Sequence, residues 1–481
     1  MYPKHTILND SALVWATLLM AVAVQVGCTP EPQFRANNLE WYKQEKLAGL
    51  EDGTHFEPVH FQDVSDIMTA WFGTPDRPFF PLIAGEEDPA STLVSAKWLV
   101  ESAGAVSSDR VDKHQGLYRE HCAHCHGISG DGAGPTASFL NPYPRDFRLS
   151  KFKFKSTPTG TPPTKDDLKK ILRNGIPGTA MPSFRLLKDD ELEALSDYVT
   201  YLSVRGSVER FLIASVRELG DDVPRMVSLP DSKRLSDLLL EKSGSRSDST
   251  KAVPVTSESE GGADSGSVGA ELSDAESTQA GPGTPVAALD EEVVLEELDY
   301  LSEDYLSPVT GKWMDSLQFE DETPEAPSWV TDAGASVHKE KVELGHNLYF
   351  GQANCKQCHG ETSLGDGQLS NYDDWANDWL KIESVNPQDP EATAPYITVG
   401  ALPPRPILPR NLRTGVYRGG DDAKDIFRRI KYGIEGTPMP ASLTLTEDEI
   451  WALVAFVRQL PYETLSRPKT EDRLTNEKSI R

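Results

Sequence analysis

Two stretches of the chain, residues 165–202 and 423–460, carry the same hydrophobic pattern and align without a gap. Each ends in a segment whose apolar residues recur at the spacing of one helix face, which predicts a helix packed against a core. The matched positions are Leu192/Ile450, Leu195/Leu453, Tyr198/Phe456, Val199/Val457 and Leu202/Leu460. Thr446 and Glu449 form a candidate capping box where the second helix begins. The chain therefore contains an internal repeat of small helical units.

A different apolar run, Ala12 to Val26, follows Lys4 and His5 and ends before Cys28. A basic start and an apolar stretch too short to span a bilayer with ease are typical of an export signal. The cysteine favours a lipoprotein signal in which Cys28 is lipidated, while an uncleaved anchor and an ordinary cleaved signal remain as alternatives. All three interpretations predict an exported chain on the periplasmic side of a bacterial membrane.

Composition narrows the class of protein. The 481 residues are 38% hydrophobic and include 36 Gly and 35 Pro, which favours folded units joined by loose segments. A net charge of −27 argues against nucleic-acid binding. Residues 241–308 hold 16 acidic and 3 basic residues, and within them residues 257–285 are mostly Ser, Glu, Gly, Ala and Asp. This composition is too polar to bury a core, so we predict that 257–285 is the disordered acidic core of a linker. Residues 29–107 carry scattered aromatic residues. We predict that they form an irregular arm with one or two helices, which serves as a packing or docking element.

Four of the five cysteines form two C-x-x-C-H motifs, Cys122–His126 and Cys355–His359. In this motif two thiols attach to one haem and the adjacent histidine ligates its iron, so Cys122, Cys125, His126, Cys355, Cys358 and His359 are candidate haem-binding residues. A zinc site built from both cysteine pairs and a redox-active dithiol are the alternatives. Two such motifs in an exported chain favour haem.

The sixth iron ligand is expected downstream of each motif. Residues 175–182 and 433–440 match at six of eight positions and place Met181 and Met439 in equivalent irregular loops. A thioether opposite histidine is typical of a low-spin haem that transfers electrons. The repetition of the whole loop favours iron ligation over core packing for both methionines.

Residues 108–205 and 336–465 each resemble a class I cytochrome c domain, with an opening helix, C-x-x-C-H, a methionine loop and a closing helix. The resemblance implies a mostly α chain with two small all-α domains and two covalently bound haem c groups. The remaining segments are a signal (1–28), an N-terminal arm (29–107), a linker (206–335) and a C-terminal tail (466–481).

The resemblance also implies neighbours for the haem. Pro135 is expected to direct a backbone carbonyl to His126, and the corresponding contact in the second domain has no candidate. Arg145 and Arg410, in matching Pro-Arg segments, are candidates to pair with haem propionates, with solvated surface arginines as the alternative.

The two copies differ in length and charge. His126 precedes Met181 by 55 residues and His359 precedes Met439 by 80, and the extra residues fall near 371–404. Such an insertion either shields the haem edge or forms a docking surface. Residues 110–205 carry a net charge of +4 and residues 340–465 one of −6, so each region is expected to meet a partner of opposite charge, or the other region.

These features predict a membrane-attached dihaem cytochrome c that carries single electrons between respiratory redox partners and has no catalytic residues. A dihaem enzyme such as a cytochrome c peroxidase, or the electron-entry subunit of a larger oxidoreductase complex, is the alternative. A peroxidase needs an iron that peroxide can reach, whereas two matching methionine loops close both sixth positions. A haem-based sensor would need an output domain, and the sequence contains no visible candidate.

Overall fold

The computed structural model describes residues 31–50, 55–81, 93–108, 114–219, 225–229, 235, 291–332, 334, 336–372 and 374–466. The proposed signal with Cys28, much of the acidic linker and the tail beyond Ser466 lie outside these residues. Within them the chain is mostly helical with one two-stranded sheet, which confirms the predicted fold class. None of the described helices combines the length and apolar character that a membrane span requires.

The first half contains α1 (Asn38–Leu47), α2 (Pro58–Phe72), α3 (Ala96–Ser102), β1 (Ser107–Ser108), β2 (His114–Gln115), α4 (Leu117–His121), α5 (Ala123–His126), α6 (Lys165–Asn174) and α7 (Asp189–Val216). The second half contains α8 (Glu291–Leu301), α9 (Ser307–Leu317), α10 (Ser328–Thr331), α11 (His338–Phe350), α12 (Lys356–His359), α13 (Asp374–Leu380), α14 (Pro390–Thr398), α15 (Ala423–Tyr432) and α16 (Glu447–Gln459). A π-helical turn joins α8 to α9. The strands pair antiparallel, Ser107 with Gln115 and Ser108 with His114.

The closing helix α7 is the axis of the first core. Its predicted apolar stripe is buried, from Leu192 to Leu202. The helix continues past residue 205, and Val208, Leu212 and Ile213 are buried as well, because α1 and α2 pack on this extension. The domain boundaries remain a prediction, but one apolar core runs across two of them.

The described part of the linker also packs on the first core. Trp313 of α9 is buried, and its ring meets that of Phe152 edge-on at 6.0 Å. The Ser316 hydroxyl donates to the Pro163 carbonyl at 3.3 Å, just before α6 begins. These contacts bring α9 to the wall of the first candidate site.

The second core is smaller and forms between α11 and α16. Gly345 lies against the Ala452 carbonyl so closely that a side chain there would collide with the α16 backbone. The capping box is confirmed: the Glu449 amide donates to Thr446 Oγ1 at 3.3 Å, and the Thr446 amide donates to the Glu449 carboxylate at 2.8 Å. The predicted stripe from Ile450 to Leu460 is buried.

The insertion at 371–404 packs against the N-terminal arm. Trp379 and Tyr396 are fully buried and stack at 4.7 Å, and Tyr42 of α1 meets Tyr396 edge-on at 5.0 Å. Lys43 of α1 pairs with Asp378 at 2.5 Å. Two segments of unassigned role thus form one contact that holds the second region to the first.

The oppositely charged regions meet each other in the folded chain. Lys170 of α6 pairs with the buried carboxylate of Asp425 in α15 at 2.6 Å. Lys155 pairs with Glu435, which lies in the second methionine loop. Of the two expectations for the charge difference, the intramolecular one is seen in these contacts.

Candidate functional site

The first C-x-x-C-H motif opens onto a deep cavity. Cys122 precedes the single-turn helix α5, which carries Cys125 and His126. These three residues and Met181 line the same cavity of about 1300 Å³, its open mouth included. Most of the remaining wall is apolar, including Phe147, Phe152, Leu168, Ile171, Leu172, Ile176, Phe184 and Val199. The structure therefore brings all four residues predicted for the first site together.

The orientation of His126 is fixed by its neighbours. Its Nδ1 lies 3.0 Å from the Arg145 carbonyl, and because a carbonyl can only accept, Nδ1 carries the proton. The ring also stacks on Phe147 at 4.6 Å. Nε2 is thereby left without a proton and with its lone pair available to a metal, and ligating histidines in metal sites are commonly held in this way by a hydrogen bond from the other ring nitrogen.

The expectation for Pro135 is wrong. The carbonyl that accepts from His126 belongs to Arg145, which lies 19 residues after the histidine. The second site has the same contact: His359 Nδ1 donates to the Arg410 carbonyl at 3.0 Å. In both Pro-Arg segments the backbone carbonyl of the arginine therefore accepts a hydrogen bond from the histidine. The expectation from the sequence had concerned only the charged side chains of these two arginines.

Burial controls the protonation of the motif residues. It lowers the pKa of His126 to about 4 and also lowers that of His359, so both imidazoles are neutral at pH 7 and able to ligate a metal. Burial raises the pKa of Cys122 to about 12 and that of Cys355 to about 11. Both thiols are uncharged, in contrast to the low-pKa thiolates of dithiol oxidoreductases.

The two methionine loops share one hydrogen-bond pattern. The Ile176 amide donates to the Met181 carbonyl at 3.2 Å, and the Ile434 amide donates to the Met439 carbonyl at 3.1 Å. In each loop a threonine hydroxyl, that of Thr179 or Thr437, also accepts from the amide of the methionine, at 3.1 and 3.2 Å. These bonds close a tight loop that presents the methionine side chain at a fixed point.

Glycine is required where each loop begins. Gly175 and Gly433 have φ angles of +66° and +73°, and a Cβ at either would lie within 2.8 Å of the backbone that follows the methionine. A side chain at these positions would therefore push the methionine out of place.

A tyrosine supports each motif from its opening helix. The Tyr118 hydroxyl donates to the Gly127 carbonyl at 2.8 Å, and the Tyr349 hydroxyl donates to the Gly360 carbonyl at 2.9 Å. Each glycine directly follows the ligating histidine, and both rings are buried. The tyrosines thus fix the chain where it leaves the motif.

The second site repeats these local features around Cys355, Cys358 and His359 on α12. Cys355 and Ile430 of α15 both pack against the second core. At the first site Met181 and His126 share a cavity wall, whereas the assignment of Met439 depends on its matching loop. Among the residues that the structure describes, no three His, Cys, Asp or Glu side chains form the group that the zinc alternative requires.

The residues present fit a haem. The first cavity is lined by apolar side chains and holds two thiols, a neutral imidazole with its Nδ1 already bonded, and a thioether. This donor set matches covalent attachment and His/Met ligation of iron. Haem iron, once held by these residues, supplies one-electron redox chemistry.

Sequence reasoning missed the residues that connect the two regions. Arg418 of the second region lines the first cavity together with Met181, and Trp375 lies against Gly132 of the first region. The signal available was the charge difference between the regions, which predicts that they meet but not where.

Comparison with known proteins locates the same two segments. The family model "Cytochrome C oxidase, cbb3-type, subunit III" matches residues 109–199 and 340–457, which contain both C-x-x-C-H motifs and both methionine loops. No curated protein matches the chain. A chain from the solved reducing HAO-like protein complex of Kuenenia stuttgartiensis is similar at 18% identity and a TM-score of 0.36, over 72% of this chain and 94% of that one. The two family matches support a cytochrome c family for this chain, with covalently bound haem c and electron transfer.

Proposed function

We propose that this chain is an exported, membrane-attached dihaem cytochrome c that carries single electrons between respiratory partners. The observation that carries the proposal is the duplication of a complete site: each C-x-x-C-H motif has its histidine bonded to an arginine carbonyl and is followed by a methionine loop with the same hydrogen bonds. Two sites of this kind in one chain fit a protein that passes electrons along.

The proposal assigns a role to each residue of the two sites. Cys122 and Cys125, and Cys355 and Cys358, would attach the two haems, and His126 and His359 would ligate iron through Nε2. Met181 and Met439 would supply the second protein ligand of each iron, and a soft thioether favours Fe(II) and excludes water. These are the roles of an electron carrier rather than of an enzyme that must admit a substrate to iron.

Export and membrane attachment rest on the N-terminal sequence. The basic start, the apolar run and Cys28 favour a lipid anchor on the periplasmic side of a bacterial membrane. Replacing Cys28 with Ser should release the chain into the soluble exported fraction. Retention at the membrane would instead favour an uncleaved anchor or a bound partner complex.

The cofactor proposal is tested on the exported chain with a haem stain after denaturation and a reduced-minus-oxidised spectrum. Two covalent haems per chain, with the weak far-red band of methionine–iron bonds, are the expected result. A zinc signal without haem would overturn the proposal. Two haems of which one binds peroxide and turns it over rapidly would favour the peroxidase alternative.

A further inference from the structure

The two sites adjoin a second cavity, which lies between the regions. It holds about 1080 Å³ of space and is lined by Tyr143 from the first region and by Trp375, Arg405, Arg410 and Arg418 from the second. The three arginines give this space a positive character. The groups that these three arginines contact therefore matter for both sites.

Two of these arginines reach the first methionine loop. Arg410 Nη2 donates to the Pro177 carbonyl at 3.4 Å, and Arg418 Nη2 lies 3.5 Å from the Gly178 carbonyl. The guanidinium of Arg410 lies against Gly178 so closely that a side chain there would collide with it. The second region thus contacts the loop that positions Met181.

In the part of the chain that the structure describes, neither of these guanidinium groups has an acidic partner. Among the described residues, other arginines of the second region pair with carboxylates, as Arg413 does with Glu463 at 2.9 Å, while Arg410 and Arg418 contact carbonyl oxygens alone. Burial lowers the pKa of both, and the charge of Arg410 lowers that of Arg418 further. Two like charges held together without an anion are costly, so a negative group is expected between them.

Arg418 also belongs to the wall of the first cavity, with Cys122, His126 and Met181. Its Nε is buried and makes no hydrogen bond to a described residue. A guanidinium binds a carboxylate through two parallel N–H donors, and an unsatisfied Nε beside Nη2 offers such a pair. Because Arg418 lies in the wall of the first cavity, a carboxylate bound there can accept from these two donors.

We propose that Arg418, assisted by Arg410, binds a carboxylate of the haem held in the first site, so that the second region completes the first haem site. The inference rests on the proposed function, since haem c supplies the two propionates that are the carboxylates in question. It departs from the view that each domain holds its haem alone. The potential of the first haem then depends on residues more than 200 positions away in the chain.

The test is the reduction potential of each haem in the full exported chain with Arg418→Gln. The variant Met181→His identifies the first haem. It exchanges a thioether for an imidazole and should therefore lower the potential of the first haem and leave that of the second unchanged. Loss of one positive charge beside the first haem disfavours its reduced state, and we expect a fall of about tenfold in its reduction equilibrium, which is about 59 mV for one electron. The second haem should shift less.

A pH profile separates binding from a structural role. His121, His124, Arg145 and Lys153 also line the first cavity, so the measurement is the difference between the pH profiles of the wild type and of Arg418→Gln. In Arg418→Gln the propionate pKa rises, and the potential should increase more steeply than in the wild type as the pH falls from about 8 to 5. Arg418→Lys, which keeps the charge without the paired donors, should restore part of the potential. A potential and a pH profile in Arg418→Gln that match those of the wild type would overturn the inference.

Arg405→Gln is the matched control. Arg405 lines the cavity between the regions and donates to the Leu140 and Ser138 carbonyls, both at 2.9 Å, but it is absent from the wall of the first cavity. Arg405→Gln should weaken the interface and leave the pH profile as it is in the wild type. If Arg405→Gln reproduced the effect of Arg418→Gln, the interface rather than carboxylate binding would be responsible. A chain with no covalent haem would overturn the proposed function itself, whereas two haems with unaltered potentials would overturn this inference alone.

Discussion

The two candidate haem sites have the same local parts and unequal surroundings. His126 and His359 bond to their arginine carbonyls at the same 3.0 Å, yet the first site lies in a core built from α1, α2, α7 and the linker helices, while the second core forms mainly between α11 and α16. Arg418 of the second region also lines the first cavity. Duplicated ligands therefore do not imply duplicated properties, since burial and charge around a haem tune its potential.

The largest difference between the two sites is expected when the cysteines that would attach each haem are replaced. Replacing Cys122 and Cys125 with Ser should halve the covalent haem, and so should replacing Cys355 and Cys358. The consequences for folding should differ, because the first region has a large apolar core besides its haem and the second has a small one.

Hydrogen exchange and haem content measure both effects. We expect α7 to stay protected after loss of the first haem, and α11 and α16 to lose most protection after loss of the second. Equal loss of protection in both double variants would show that the surrounding cores do not distinguish the sites.

The next largest effect is expected from the axial ligands. Met439→Ala should open the sixth position of the second haem, abolish its far-red band and allow external imidazole to bind, while Met439→His should keep six ligands and lower the potential. Met181→Ala is the matched variant of the first site. An unchanged second-haem spectrum in Met439→Ala would make Met439 a packing residue.

A smaller effect is expected from the contact between the N-terminal arm and the insertion. Burial alone would raise the pKa of Glu40, but the charges of Arg210 and Lys43 lower it to about 2. Because this folded-state pKa lies below the ordinary value, the carboxylate contributes stability above about pH 4.5 that is lost as the pH falls toward 2.

The free energy of unfolding, measured between pH 7 and 2, should show this loss as roughly 2–3 kcal/mol. Glu40→Gln should remove that part of the pH dependence. The control Glu447→Gln changes an exposed carboxylate of α16, and it should leave the pH dependence as it is. A wild-type slope that survives in Glu40→Gln would assign the effect to other carboxylates.

The smallest effect is expected from the supporting tyrosines. Tyr118→Phe and Tyr349→Phe each remove one buried hydrogen bond, and the glycine carbonyl keeps the backbone amide of Gly130 or Ser363 as its remaining donor. The loss should cost about 0.5–1.5 kcal/mol of unfolding free energy. Chemical denaturation of the two variants compares the sites directly. Equal costs would indicate that the motif and its tyrosine behave as one unit irrespective of the surrounding core, and a stabilised variant would contradict the role assigned to these hydroxyls.

The features that the sequence predicted depend on residues close together in the chain. The features that it missed depend on contacts between residues far apart in the chain. The closing helices, the Thr446 capping box and the predicted haem motifs depend on residues a few positions apart, so spacing alone predicts them. The prediction that Pro135 directs a carbonyl to His126 was wrong because it considered only residues near the motif in sequence. The accepting carbonyls lie 19 residues after His126 and 51 after His359.

The contact of the insertion with the N-terminal arm could not be predicted from local sequence patterns either. The insertion was expected to shield the haem edge or to form a docking surface, but nothing within residues 371–404 indicates that its Trp379 and Tyr396 pack with Tyr42. The position of Arg418 at the first cavity depends on how two folded regions dock, which periodicity does not encode.

The pair between Lys43 and Asp378 has a consequence for the order of events during biosynthesis. It joins positions 335 residues apart. Because synthesis proceeds from the N-terminus, α1 waits for its partner until most of the chain has been made. During that interval the second region, with the Arg418 side chain that completes the wall of the first cavity, is not yet in place. The contact between the insertion and α1 is therefore among the last of the fold to form.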